Sequence, residues 1–262
     1  MPSTRQARQC AAGRFQRMMR VISNFTLSSV MTDLVFHGGE RSQTLTVIRS
    51  ARAHTMRLAV DPRDGVVKLT LPNRAPLGSA LKWAETKRGW IEAQLGKLPR
   101  AVTIMHGSTI AVADQALTID WDEGYPRNPV PIEGRLRVGG PADMLSKRVI
   151  RWLQREAKTL LDAETRQYAI QISAQVGKVG IGDPVSRWGS CASSGDIRYS
   201  WRLILAPSFV RRATVAHEVA HLVHMNHAPA FHALVAEIFG EDPTPARLWL
   251  RAHGSQLHWF GR

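Results

Sequence analysis

The segment HEVAHLVHMNH, residues 217–227, carries the residue types that bind and activate a metal ion, at helical spacing. His217 and His221 are four apart, so on a helix their side chains emerge on one face with Cβ atoms about 5–6 Å apart. Two imidazoles placed that way can converge on one Zn2+ ion at about 2.0–2.1 Å each. Glu218 falls about 100° further round the helix, beside the pair rather than within it. That is the position of a general base for water that zinc activates, with the water's pKa lowered to about 7 and the scissile carbonyl polarised. The chemistry these residues suggest is hydrolysis of a peptide bond.

A catalytic zinc site needs a third protein ligand and one open position. On an unbroken helix His224 would share the face of His217 but lie about 10 Å further along the axis. His227 would face away unless the helix ended and the chain turned back, and Met225-Asn226 offers a stop, since Asn tolerates the left-handed conformation. His227 is therefore the favoured ligand, with His224 beside the site or at the surface and Glu237 a weaker rival. A stripe of Phe209, Ala213, Ala216, Ala220 and Val223 should bury the helix and hold its histidines inside the protein.

The elements that must position this helix can be read around it. Ser208, after Pro207, is a candidate N-cap. Upstream, apparent strands over 176–181 and 196–204 precede it; in the second, Ile197, Tyr199, Trp201 and Leu203 alternate with polar residues. Arg198 and Arg202 would then lie on the solvated face. If this strand bordered the cleft, a peptide could add to it as a further strand. A long amphipathic helix is expected over about 142–170, with its stripe at Leu145, Val149, Trp152, Leu153, Leu160, Leu161 and Tyr168.

Further upstream, TLTVIRS, MRLAVD and VVKLTLP, broken by Asp-Pro-Arg-Asp-Gly, read as a β-meander over 44–71. Residues 77–98 carry Leu81, Ala84, Trp90, Ile91 and Leu95 at roughly helical spacing, and Pro99 closes that element. STIAVA, LTIDW and RLRVGG return to strands over 101–139. No internal repeat is evident in the sequence.

The chain has 262 residues, 44% of them hydrophobic, and its formal charge is +14. No apolar run approaches the length of a membrane span. Two cysteines, Cys10 and Cys191, are too few for a disulfide framework and suggest a reducing, cytoplasmic setting. Five arginines and no acid lie in residues 1–32, leaving an excess of nine positive charges elsewhere. Residues 1–30 read as a basic, disordered extension, or as sequence ahead of a true start near Met31. The charge also admits nucleic acid as a partner, although no nucleic-acid-reading motif accompanies it.

Three motifs, in this order, resemble the YgjP-like metallopeptidase family, relatives of the SprT-like and WLM zincin-type proteases: RWGSC at 187–191, IRYSWRLILAP at 197–207 and HEVAHLVHMNHAPAF at 217–231. The likeness extends from about residue 31 to LWLRAHG at 248–254. It implies His217, His221 and His227 as zinc ligands and Glu218 as the catalytic acid/base. The family usually has Asp-Tyr where this chain has Arg212-Ala213, and commonly Ser and Trp where it has Ala228 and His232; none of these departures removes a ligand. In RWGSC, the glycine between Trp188 and Ser190 suggests a tight turn or close backbone approach. Cys191 reads better as a packed, reduced thiol than as a zinc neighbour.

The expectation is thus an α+β chain. A β-rich region over 31–140 is followed by a zincin-like metallopeptidase region over 141–262 that carries the HExxH helix. The expected function is a zinc peptidase acting on protein or peptide. The alternatives are a nucleic-acid-associated protein with structural zinc, or a protease acting on DNA-bound proteins. Structural zinc sites are usually closed, cysteine-rich sets of four, which favours the enzyme.

Overall fold

Alternating apolar residues build the first sheet. The computed structural model describes residues 29–262, so the basic segment expected over 1–30 lies outside it except for Ser29 and Val30. Two compact units follow, one of the described residues up to Leu98 and one from Pro99 to Arg262.

In the first unit β1 (Ser29–Gly38), β2 (Arg41–Ser50), β3 (Arg57–Val60) and β4 (Val67–Pro72) form one sheet in the order β1-β2-β4-β3. The meander expected here is corrected: β4 lies between β2 and β3, parallel to β2 and antiparallel to β3. The reason is burial. Val67, Leu69 and Leu71 of β4 are fully buried, whereas β3 has no buried residue and takes the edge. One helix was expected over 77–98, and two are found, α1 (Leu77–Thr86) and α2 (Arg88–Gly96). The Thr86 hydroxyl donates back to the Trp83 carbonyl at 2.7 Å, a local bond that competes with helix propagation. Ala80, Ala84, Ile91 and Leu95 enter the core, while Trp90, expected in the stripe, is 47% exposed.

The second unit opens with β5 (Thr109–Val112), β6 (Gln115–Trp121), β7 (Val130–Ile132) and β8 (Arg135–Val138), in the order β5-β6-β8-β7. Its pairings run antiparallel, parallel, antiparallel, as in the first sheet. The repeat is one of topology, which the sequence does not display. These strands fall in the same unit as the histidine helix rather than with the region expected over 31–140.

A short 3-10 turn, Ala142–Met144, leads into α3 (Leu145–Gln171). Six of the seven expected stripe residues are buried and Leu160 packs against the same core, each buried aliphatic contributing roughly 1.5–3 kcal/mol. Then come β9 (Val179–Gly182), β10 (Gly189–Cys191) and β11 (Ile197–Ser200), in the order β10-β11-β9. The strand expected to accept a peptide, β11, is paired on both sides, so that reading is withdrawn; β10 lies at the sheet edge.

The strand also ends at Ser200, and Trp201–Leu205 forms a 3-10 turn with Trp201, Leu203 and Ile204 buried. This turns Arg202 inward. It is 5% exposed, bonds Asp183 through two nitrogens at 2.7 and 2.9 Å, and donates to the Leu257 and Phe260 carbonyls. Arg202 is therefore buried rather than on the solvated face expected for it; Arg198 is exposed as expected.

Helices α4 (Ser208–Ala220), α5 (Pro229–Phe239) and α6 (Thr244–Leu257) complete the chain. The structure thus has the expected α+β class, and no helix among the described residues is long and apolar enough to cross a membrane.

Candidate metal centre

Helix α4 is anchored before it presents anything. Ser208 makes no side-chain cap; instead its backbone N–H donates to Asp114 Oδ1 at 2.9 Å, from the β5–β6 turn, where Ala113 and Asp114 both have positive φ. The bond meets one of the donors left unpaired at a helix start. Arg211, 5% exposed, holds the helix to Glu164 of α3 at 3.0 Å. Ala213, Ala216 and Ala220 are buried as expected, but Phe209 and Val223 are 37% and 52% exposed.

Val223 is exposed because the helix stops at Ala220, earlier than Met225-Asn226. No left-handed residue ends it: His221 caps it at φ −66°, and two further turn residues, Leu222 and Val223, follow. Asn226 contributes differently from expectation, its Oδ1 accepting from the Ala228 N–H at 3.2 Å. Pro229 then starts α5, where its missing N–H costs nothing. This short reversal brings His227 back to the helix it has left.

His217, His221 and His227 present nitrogens that all lie within 4.8 Å of one another. Their ring centroids are 4.8–5.2 Å apart. His224 supplies its backbone carbonyl, not its ring, to the arrangement: the carbonyl accepts from His221 Nδ1 at 2.9 Å. A carbonyl can only accept, so Nδ1 carries the proton and Nε2 keeps a free lone pair. Glu237 is exposed and outside the cluster.

The donor set fits a metal ion. Two nitrogens each about 2.0–2.1 Å from a tetrahedral centre stand about 3.3 Å apart, and His217 Nε2 and His227 Nε2 are separated by 3.3 Å. Burial, reinforced by the fields of His221 and His227, pushes the His217 pKa down to about 4, and burial also lowers that of His221. Both are therefore neutral near pH 7, the form that ligates. Phe231, fully buried on α5, forms the floor, its ring 4.5–4.9 Å from all three imidazoles.

Glu218 is 6% exposed, and among the described residues it has no hydrogen-bond partner. Burial pushes its pKa up to about 7, opposed only by the field of Arg187. Its neighbour is a residue without a side chain. A Cβ on Gly189 of β10 would stand 2.5 Å from Glu218 Oε1, so only glycine lets this strand lie against the carboxylate. The close approach expected from RWGSC is thus located, although the sequence did not name what approaches. Trp188 seats in the same way, since a Cβ on Gly254 of α6 would meet its ring at 2.8 Å. Cys191 is half-buried and outside the histidine cluster, with burial raising its pKa.

A cavity of about 690 Å³ opens beside His217 and Glu218, walled by α4, α5, α6 and the residues around β10. Arg187 and Arg247 line it, and Phe231 floors the neighbouring histidine cluster; none of these three was singled out in the sequence. Their roles arise from packing between elements, which periodicity does not report.

An α+β chain with three imidazoles gathered at a helix end defines a protein able to hold a metal ion. A family model described as YgjP-like, metallopeptidase domain, matches residues 54–253, and the chain belongs to that family. Membership implies a metal ion and a hydrolase. No curated protein and no solved structure matches the chain.

Proposed function

We propose that the protein is a zinc-dependent metallopeptidase, with His217, His221 and His227 as ligands and Glu218 as general base. The observation that carries this reading is the pairing of a convergent three-nitrogen set with an adjacent buried carboxylate that lacks a hydrogen-bond partner. Three histidines leave a fourth position open, whereas structural zinc sites are closed, and Cys191 does not complete the set. When bound, zinc supplies Lewis acidity, lowering the pKa of a water to about 7 and polarising a carbonyl.

The chain's own residues perform the rest. His221 is held in one tautomer by the His224 carbonyl, which fixes the ring that ligates. Glu218 takes one proton from the attacking water as its oxygen joins the scissile carbon. It then passes that proton to the amide nitrogen as the carbon–nitrogen bond breaks. A carboxyl whose pKa lies near 7 is matched to both transfers. The free edge of β10, beside Glu218, offers backbone groups to an extended peptide.

The test is bound zinc and cleavage of a peptide library by the wild type and by Glu218→Gln. Stoichiometric zinc in both proteins, with cleavage only in the wild type, supports the reading. A protein that holds no zinc, or a variant that cleaves as well as the wild type, refutes it.

A further inference from the structure

The cavity beside His217 and Glu218 has a chemical character of its own. Three alanines, Ala213 on α4, Ala236 on α5 and Ala246 on α6, face it, and their small side chains leave the space open. Trp188 and Leu250 add apolar wall. Two guanidinium groups line the same space, Arg187 from the approach to β10 and Arg247 from α6. Both arginines are exposed and neither forms an ion pair among the described residues; Arg247 donates to the neutral Thr244 hydroxyl at 3.0 Å. Apart from Glu218, the carboxylate that lines the cavity is Asp242, which already accepts the Thr244 N–H at 2.9 Å at the start of α6. Arg187 and Arg247 act on the centre from two sides, their fields reaching Glu218 and His217 respectively.

Such a space suits a ligand that carries an apolar group and an anion close together. An internal acidic residue offers the anion but nothing to fill the alanine-lined region. A C-terminal apolar residue offers both, side chain and free carboxylate, on one carbon. Resting on the peptidase reading above, we infer that the cavity receives the C-terminal residue of the substrate, with its side chain against Ala213, Ala236 and Ala246 and its carboxylate engaged by Arg187 and Arg247. The protein is then a carboxypeptidase that prefers apolar termini.

The test uses the zinc-loaded full chain and N-blocked tripeptides ending in phenylalanine, supplied as the free acid and as the amide. Charge-assisted hydrogen bonds of this kind are worth about tenfold or more in affinity, so the acid should be cleaved with kcat/KM at least about tenfold above that of the amide. Arg247→Gln and Arg187→Gln should raise KM for the acid more than for the amide, so that the acid-to-amide ratio of kcat/KM falls toward one. The ratio is the readout, because a change in the fields at Glu218 and His217 acts on both substrates alike. Equal cleavage of acid and amide, or variants that impair both alike, would overturn the inference. Binding of N-acetylphenylalanine and of its amide, measured by calorimetry on the same proteins, separates this idea from the peptidase reading. If no peptide is cleaved the peptidase reading fails alone, and the pocket is judged on binding: preference for the acid, lost in Arg247→Gln, upholds it, and no preference ends it.

Discussion

Asp61 in the first unit and Glu218 in the second are equally hidden, at 7% and 6% exposure, yet burial has opposite consequences for them. Burial raises the pKa of both carboxyls. At Asp61 it is overcome, because Arg63 donates from its backbone and from two side-chain nitrogens and Lys68 donates at 3.2 Å, which holds the group well below the usual carboxylate range. At Glu218 nothing but the field of Arg187 opposes it, and the carboxyl rises to about 7. The difference is local in sequence. Asp61 stands in a turn two residues before an arginine, whereas the helical neighbours of Glu218 at three and four residues are Thr214, Val215, His221 and Leu222, none of them a lysine or arginine. A buried carboxylate surrounded by donors maintains a turn. One left without donors keeps its capacity to take a proton.

The contrast is broken most directly by removing each charge in turn. Glu218→Gln should lose about 10²–10⁴-fold in peptide hydrolysis with zinc retained, the range of a positioned acid–base group. Asp61→Asn should leave hydrolysis within about twofold. A comparable loss in both variants, measured as kcat/KM on one peptide, would mean that Glu218 serves the fold as Asp61 does.

Stability should separate them with opposite signs. Asp61→Asn strands Arg63 and Lys68; because both cations are about one-third exposed, the cost should be roughly 1–3 kcal/mol, below that of a fully buried pair. Glu218→Gln should instead stabilise the zinc-free protein at pH 8, by up to about 3 kcal/mol. The pH dependences follow. The folded pKa of Asp61 is depressed, so its contribution is present above the unfolded value near 3.8 and is lost as pH falls below it. The folded pKa of Glu218 is raised, so its contribution is present below the unfolded value near 4.5 and is lost as pH rises through about 7. Hydrogen exchange in β4 and in α4, followed from about pH 2 to pH 8 without zinc, reads the two units separately. The titrations of His217 and His221, whose folded pKa values are lowered, stabilise α4 as pH rises toward 6.5 but are common to wild type and Glu218→Gln. A wild-type α4 whose protection does not fall relative to that of Glu218→Gln between pH 5 and pH 8 would therefore contradict the assignment for Glu218.

These residues also show where sequence reading succeeds and where it stops. His217, Glu218 and His221 were legible because a helix fixes their spacing, and the α3 stripe was legible for the same reason. The convergence of His227 was anticipated, but through a left-handed Asn226 that the structure lacks; a helix end depends on which carbonyls find partners, and here Val219 and Ala220 find theirs in the N–H groups of Leu222, Val223 and His224. Strand order failed at β4, since alternation marks a strand without saying which strand lies beside it. Arg202 failed because a strand was extended through a 3-10 turn in which Trp201, Arg202, Leu203 and Ile204 are all buried, so alternation no longer separates two faces after Ser200.

Gly189 gives a finer version of the contrast, because a methyl group can be introduced where Glu218 has no partner to hold it. Gly189→Ala would place a carbon 2.5 Å from Oε1, and the carboxylate must shift to make room. An enzyme group displaced by about an ångström loses on the order of tenfold or more, so hydrolysis should fall by at least that factor with zinc content unchanged. Zinc loss in this variant would show that Gly189 supports the histidines and not the glutamate.

The smallest effect belongs to His224, and it discriminates between two ways of building the same centre. If its ring were a ligand, His224→Ala would cost zinc affinity by orders of magnitude, as His227→Ala should. In the structure only its backbone carbonyl meets His221 Nδ1, and every residue except its side chain would still provide that bond after substitution. Zinc affinity of His224→Ala, measured by competition with a chromophoric chelator, should therefore stay within about threefold of wild type, whereas loss of a partner that orients a ligand ring typically costs about 10–100-fold. A drop of that size in His224→Ala would place its imidazole in the centre and require the turn after Ala220 to close differently.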